Sequence, residues 1–388
     1  MANPLRVAVI ATRLSGTQTG VARYLRGVLD AWGAEPPSAF ASVTLFSPRV
    51  IDFHETELIR VHRRRSRLTP LLWESAVLPR LTRIYDVLWA PSFTMPLLGP
   101  LLGAGRPGRP PCLLVIYDAH QLLRPRDFGW RGRLFSGPAM RRSAARAQQL
   151  VTISEEARRD LSGALDLPPS RIEIVPGGVN LDLYRSVPTP ASTGRWGDGP
   201  FVLFVGKLSR RRNIDGLIEA AAAWQRMGLA HELLLVGANS GNWPVSELAS
   251  QSGARVRHLD DVDDRELREL YRRATVFVQA PLHETFSLPM LEAMASATPV
   301  VTSDRQTMRE EGGDAATYVD PCDPADIARA VAQLLSDPDR RRRATEAGLL
   351  RAKEFSWQVI GRQYAQLLAE TASNDGGFPP AQQRVSRP

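Results

Sequence analysis

The 388 residues suit two domains, and 43% hydrophobic with 23% charged residues is globular composition that excludes a disordered chain. Only two cysteines, Cys112 and Cys322, are present, which excludes a disulfide framework and a cysteine zinc module and points to a reducing compartment. The net charge of +8 belongs to the first half: residues 1–190 carry 25 basic against 15 acidic residues, and the remainder carries 24 against 26. Lys207 and Lys353 are the only lysines, so the arginine bias reads first as a coding preference. The excess still poses a question about what the first domain meets. No run of eighteen apolar residues occurs and residues 1–4 lead straight into a strand, so neither a signal peptide nor a transmembrane helix is expected.

Residues 6–12 form a short uninterrupted apolar run, as in a strand buried on both faces. Glycines and small polar residues follow at 15–20, then an amphipathic stretch at 21–32. Apolar runs recur at 86–90, 112–117, 150–153 and 172–175, with helical stretches between several of them. Residues 186–200 hold three prolines and three glycines with almost no apolar periodicity, which marks a linker. The alternation restarts at 201–206 and continues at 232–237, 255–259, 275–279 and 299–302. The expectation is an α/β chain of two doubly wound Rossmann-like domains facing a central cleft, covering residues 1–187 and 200–355 with a linker at 188–199. Residues 371–388 read as a disordered tail.

The most informative segment runs from His283 through Glu284, Thr285, Phe286, Ser287 and Leu288 to Glu292 and Ala295. A strand at 276–280 ends just before it, and a helix is expected to start around Pro289, where proline suits the first turn. Helix-start amides at a strand's carboxyl end suit an anion or sugar hydroxyls. Glu284 is expected in the loop and Glu292 on the first helical turn, two carboxylates able to accept hydrogen bonds from different parts of one ligand. Taken alone, such a pair reads first as a helix cap and a surface glutamate. The glycine loop Gly16-Thr17-Gln18-Thr19-Gly20 is not Gly-x-Gly-x-x-Gly, so the dinucleotide fingerprint and a nicotinamide oxidoreductase are disfavoured.

The segment 283–295 resembles the Glu-x7-Glu motif of the retaining glycosyltransferases of family 4, which have the GT-B fold. Val205-Gly206-Lys207-Leu208-Ser209-Arg210-Arg211-Arg212-Asn213 is similar to that family's strand-Gly-Arg/Lys segment. Trp73-Glu74, Leu78-Pro79 and residues 310–321 resemble a subgroup transferring mannose, rhamnose and related sugars, and the likeness spans residues 5 to about 370. The resemblance implies that Lys207 and Arg212 hold the diphosphate of a nucleotide sugar without metal, as two fixed cations stabilising a leaving group. It implies that Glu284 contacts the donor sugar, that Thr285, Phe286, Ser287 and Leu288 line it with backbone amides, and that Glu292 binds the ribose. His258 and Leu259 are weaker candidates for the base. In the first domain, Gly20 closes a loop that resembles the family's loop near the diphosphate and acceptor and reads equally as a plain βα turn. Residues 356–370 resemble a terminal helix crossing back, with Trp357 as a packing anchor.

Three departures matter. Thr285 and Ser287 stand where relatives commonly carry glycine, and Lys207 replaces a common arginine, keeping charge but losing the bidentate fork. Where many relatives have His-Asp, this chain has Tyr117-Asp118, with His120 two residues on as a replacement only if the loop turns back. The resulting expectation is a retaining hexosyltransferase, cytoplasmic, needing no cofactor or metal. GDP-mannose and dTDP-rhamnose are the first donors to test, and the acceptor is a glycan or lipid-linked molecule. Another GT-B activity, such as an epimerase or phosphorylase, and a non-catalytic nucleotide-sugar-binding protein remain alternatives. The arginine cluster at 60–67 has no interleaved aromatics, which argues against nucleic acid. Followed by the apolar stretch 68–73, it suits peripheral contact with an anionic membrane or a solvated loop.

Overall fold

Short strands rich in branched and aromatic residues, many of them buried on both faces, build two parallel sheets. The computed structural model describes residues 3–16, 19–63, 66–95, 110–125, 136–185 and 196–373. Most of the expected linker, the tail beyond 373, Thr17, Gln18, Arg64 and Arg65 lie outside the described residues. The chain divides into one unit of Met1–Gly177 with Trp357–Pro388 and a second of Gly178–Ser356.

The first sheet contains β1 (Leu5–Ile10), β2 (Phe40–Phe46), β3 (Ile59–Val61), β4 (Val87–Ala90), β5 (Cys112–Val115), β6 (Gln149–Thr152) and β7 (Ile172–Ile174). All its strands are parallel, in the order β3-β2-β1-β4-β5-β6-β7. The second contains β8 (Phe201–Val205), β9 (Glu232–Val236), β10 (Val256–Leu259), β11 (Val276–Gln279), β12 (Val300–Ser303) and β13 (Ala316–Val319). It too is parallel throughout, in the order β10-β9-β8-β11-β12-β13. In each sheet the direction of winding reverses beside the first strand, between β1 and β4 and between β8 and β11. The loops leaving such a pair diverge, and the crevice between them is where open parallel sheets take ligands.

The division between units falls ten residues ahead of the expected boundary at 187. The helix Leu181–Arg185 joins the second core because Tyr184 is buried there, its ring 5.9 Å from that of Tyr271. Trp196, expected in the linker, is only 4% exposed and packs into the same core.

The helix Trp357–Ser373 belongs to the first unit and runs three residues past its expected end, into what was read as tail. It packs on the helix Gly20–Ala34 at Gly27, where a Cβ would come within 2.2 Å of the Trp357 ring. Trp32 Nε1 donates to the Gly361 carbonyl at 2.8 Å, and the Tyr24 hydroxyl donates to the Val175 carbonyl at 2.9 Å. The Tyr24 hydroxyl also lies 2.8 Å from the Tyr364 hydroxyl, so one buried phenol ties the last helix to the end of β7.

Helix propensity alone makes Gly27→Ala stabilising by about 1 kcal/mol. The contact with Trp357 reverses that sign: Gly27→Ala is expected to lower unfolding free energy by about 1–3 kcal/mol in urea denaturation. Part of the loss should return when Trp357 is shortened to Leu in the same chain.

Candidate functional site

The second sheet's crevice begins at a glycine. β8 ends at Val205 and Gly206 follows with φ of +149°, while Gly237, just beyond β9, has φ of +128°. A Cβ on Gly237 would lie 2.6 Å from the Gly206 carbonyl oxygen, and a Cβ on Gly206 would lie 2.4 Å from Arg212 Nη1. Both positions therefore need glycine, for backbone angle and for space. The vacated volume is filled by the Arg212 guanidinium. The short turn Arg210–Arg212 ends at Asn213 in the left-handed region, φ 61°, and leads into the helix Ile214–Arg226.

The loop after β11 comes alongside this turn, with the Leu282 amide donating to the Arg211 carbonyl at 2.9 Å. Glu284, 5% exposed, accepts a hydrogen bond from Arg211 Nη1 on Oε1 at 2.8 Å. Its Oε2 lies 3.2 Å from Arg212 Nη2. Arg212 Nη1 is buried and has no hydrogen-bond acceptor among the described residues. Burial lowers the pKa of Arg212, opposed chiefly by the neighbouring Glu284. Removing one partner of such a pair leaves an uncompensated buried charge, which costs about 3–5 kcal/mol. Lys207, one residue past Gly206, is exposed and forms no ion pair among the described residues.

Ser287 caps the helix Leu288–Ala295: its Oγ accepts from the Met290 amide at 3.3 Å and donates to Gln279 Oε1 at 2.5 Å. The Ser287 amide, expected to be presented to a ligand, is engaged within the protein instead. It donates to both carboxylate oxygens of Glu311 at 2.9 Å. Burial drives the Glu311 pKa well above its usual value, opposed by the Ser287 amide and reinforced by the nearby Glu284 and Glu310. Thr285, Phe286 and Leu288 are half-buried, with Phe286 packed on the second core.

Glu292 lies on the second turn of its helix rather than the first, because the helix already begins at Leu288. It is buried and accepts from the Tyr271 hydroxyl at 2.8 Å. His258 Nε2 lies 2.8 Å from the Gly237 carbonyl. Leu259 is a core side chain whose carbonyl accepts from the Gly237 amide at 2.9 Å. The second unit thus gathers Lys207, Arg212, Glu284 and Ser287 at the ends of β8 and β11.

Gly20, Asp118 and His120 belong to the first unit. Gly20 opens its helix behind Thr19, whose Oγ1 accepts from the Ala22 amide at 3.3 Å. Asp118 Oδ1 accepts from the His120 amide at 2.9 Å, and His120, itself exposed, starts the four-residue helix His120–Leu123. Sequence reasoning missed Arg211, Gln279 and Glu311. Gln279 gave a signal as the one polar residue closing an apolar strand, whereas Glu311 sits in an ordinary-looking acidic pair.

Comparison with known proteins places this arrangement. The model for glycosyltransferase family 4 matches residues 19–183, and that for glycosyl transferases group 1 matches residues 189–351. The chain belongs to the group 1, family 4 glycosyltransferases. It is similar to a D-inositol 3-phosphate glycosyltransferase of Thermobispora bispora, 31% identical over 240 residues that cover 58% of this chain and 56% of that protein. It also resembles O-antigen chain mannosyltransferase B of Escherichia coli, 30% identical over 221 residues, 55% of this chain and 58% of that one. The chain thus spans little more than half the length of these curated relatives. A sucrose-phosphate synthase from Thermosynechococcus elongatus superposes with a TM-score of 0.70 at 21% identity, over 94% of this chain and 98% of that one, and the fold is GT-B.

A carboxyl whose folded pKa is raised favours folding below its unfolded pKa, and that contribution is lost as pH rises through the folded value. For Glu311 the loss begins near the ordinary value of 4.5 and extends upward. Urea unfolding across pH should therefore show the parent chain losing stability more steeply than Glu311→Gln above that point.

Proposed function

We propose that this chain is a glycosyltransferase that moves a hexosyl group, mannose or a rhamnose-like sugar, from a nucleoside-diphosphate sugar to a glycan or lipid-linked acceptor. The observation that carries this reading is the buried Arg212 guanidinium, with Nη1 lacking an acceptor among the described residues, at the crevice between β8 and β11. A desolvated cationic donor gains most from an anionic oxygen, and a diphosphate supplies several. Lys207, exposed on the same turn, adds a mobile point charge. As the anomeric carbon–oxygen bond breaks, negative charge grows on the departing diphosphate, and fixed cations already in place stabilise it.

Glu284, oriented by Arg211, would accept from donor-sugar hydroxyls, and Glu292, held by Tyr271, from the ribose. The reading includes retention at the anomeric carbon, with front-face attack and the departing phosphate receiving the acceptor hydroxyl's proton. Lys207 and Arg212 supply the positive charge this needs, so the proposal includes neither metal nor a further cofactor.

No helix among the described residues is long and apolar enough to cross a membrane. We place the chain in the cytoplasm with peripheral contact to an anionic membrane. Exposed apolar Val50, Leu68 and Leu72 accompany Arg67 and a cavity of about 530 Å³ lined in part by Arg49 and Arg63. Vesicle sedimentation should show binding to anionic but not zwitterionic vesicles at low salt, lost near 1 M salt where screening is nearly complete. Failure to bind at low salt removes this part.

A donor panel led by GDP-mannose and dTDP-rhamnose, scored for transfer and for acceptor-free hydrolysis, tests the enzyme. Glu284→Ala, Lys207→Ala and Arg212→Ala should each lower transfer by about 10²–10³-fold. Unchanged rates would overturn these roles. Epimerisation without acceptor, or donor binding without turnover, would identify one of the alternative activities instead.

A further inference from the structure

The first sheet reverses its winding between β1 and β4, as the second does between β8 and β11, so it has a crevice of its own. Thr12 and Arg13 follow β1 there, and Phe93 follows β4. A third element reaches them: Glu74, on the helix Pro70–Ala76, accepts from Thr12 Oγ1 at 2.9 Å. Glu74 is 7% exposed, and Thr12 is its only hydrogen-bond partner among the described residues. Burial raises its pKa, and Arg13 is the one cation opposing that shift.

A carboxylate offers about four acceptor positions, and one neutral hydroxyl does not offset the cost of burying it. Anchoring of the helix does not need it either, since Trp73 beside it is 2% exposed and already packs into the first core. A glutamine or an apolar residue would fill the space at lower cost. Phe93 is the second unusual feature. Its backbone has φ of +67°, which is costly for a bulky aromatic residue, and its amide donates a hydrogen bond to the Val115 carbonyl at 3.1 Å. That conformation keeps its ring 5.4 Å from the ring of Tyr117 and 5.9 Å from the Arg13 guanidinium carbon. Strain of this kind persists where the surroundings over-determine it, commonly at ligand sites.

We propose that Glu74 and Phe93 form the acceptor subsite of the transferase proposed above, and that it takes an uncharged polyol ring, a pyranose or a cyclitol. Glu74 accepts hydrogen bonds from two neighbouring ring hydroxyls, and the Phe93 ring covers the ring's C–H face. The carboxylate supplies what vicinal hydroxyls need, and the aromatic face supplies apolar contact for carbon-bound hydrogens. Arg13 opposes part of the rise in the Glu74 pKa and marks the rim. Glu74 is thus a specificity-determining residue of the first unit, with no part in holding the nucleotide.

The test uses the full chain with methyl α-D-mannopyranoside and myo-inositol as probes, measured by saturation-transfer NMR in the presence of a nucleotide sugar. At least one probe should bind the parent chain, and Glu74→Gln should weaken it about tenfold or more. Phe93→Leu should weaken it too. Thr12→Val separates the proposal from a structural role: it removes the bond within the protein but leaves the carboxylate, so probe affinity should stay near that of the parent. Equal loss in Thr12→Val and Glu74→Gln would overturn the proposal, as would absence of binding by both probes or full binding to Glu74→Gln. Nucleotide-sugar binding is followed in the same samples and should be unchanged by all three substitutions. If the parent chain binds no nucleotide sugar, the transferase reading itself fails, which is a separate result from loss or retention of the probes.

Discussion

The second unit is organised around a guanidinium that has nowhere to go but against a glycine. Arg212 occupies the place a side chain on Gly206 would fill, and the closeness of the Gly206 carbonyl leaves no room for a side chain on Gly237. Once this cation is buried it requires a counter-charge, and Glu284 is drawn from the end of β11 to provide it. Glu284 in turn needs Arg211, whose bond to Oε1 fixes the carboxylate's orientation. The loop after β11 is thereby set by electrostatics as much as by packing.

Beneath that loop lies a second layer of buried polar groups. Gln279, Ser287 and Glu311 bond in sequence, and the helix Leu288–Ala295 begins from their junction. Polar networks in a dry interior are favourable only when nearly every member is satisfied, which makes their geometry hard to vary. The first unit achieves something similar with fewer groups: Thr12 and Glu74 meet beside β1, and the strained Phe93 follows the neighbouring β4. Both units concentrate their costly features at the point where the winding of the sheet reverses, as the divergence of loops there predicts.

Much of this was legible in the sequence, and the failures have physical reasons. Strands such as β8 and β11 are buried on both faces and so read as continuous apolar runs. β2, β3 and β13 escaped notice because they are partly exposed or only three or four residues long, and polar residues interrupt them. The spacing of Glu284 and Glu292 with the basic turn at 207–212 identified the important loops. It did not reveal that Arg211 rather than solvent would face Glu284, since three consecutive arginines are equivalent until a turn directs each one. The Ser287 amide was expected to point outward because helix-start amides usually lack partners. Glu311, 24 positions away in sequence, took it instead, and no local pattern announces a contact of that range.

The central claim is that Arg212 is a diphosphate ligand kept buried and short of acceptors by Gly206. Calorimetric titration of nucleoside diphosphates and the matching monophosphates into the parent chain and into Arg212→Gln tests it directly. The account predicts tighter binding of the diphosphate than the monophosphate by the parent chain, with that preference reduced about tenfold or more in the variant while monophosphate affinity changes little. Equal preference for the diphosphate in both proteins would contradict it.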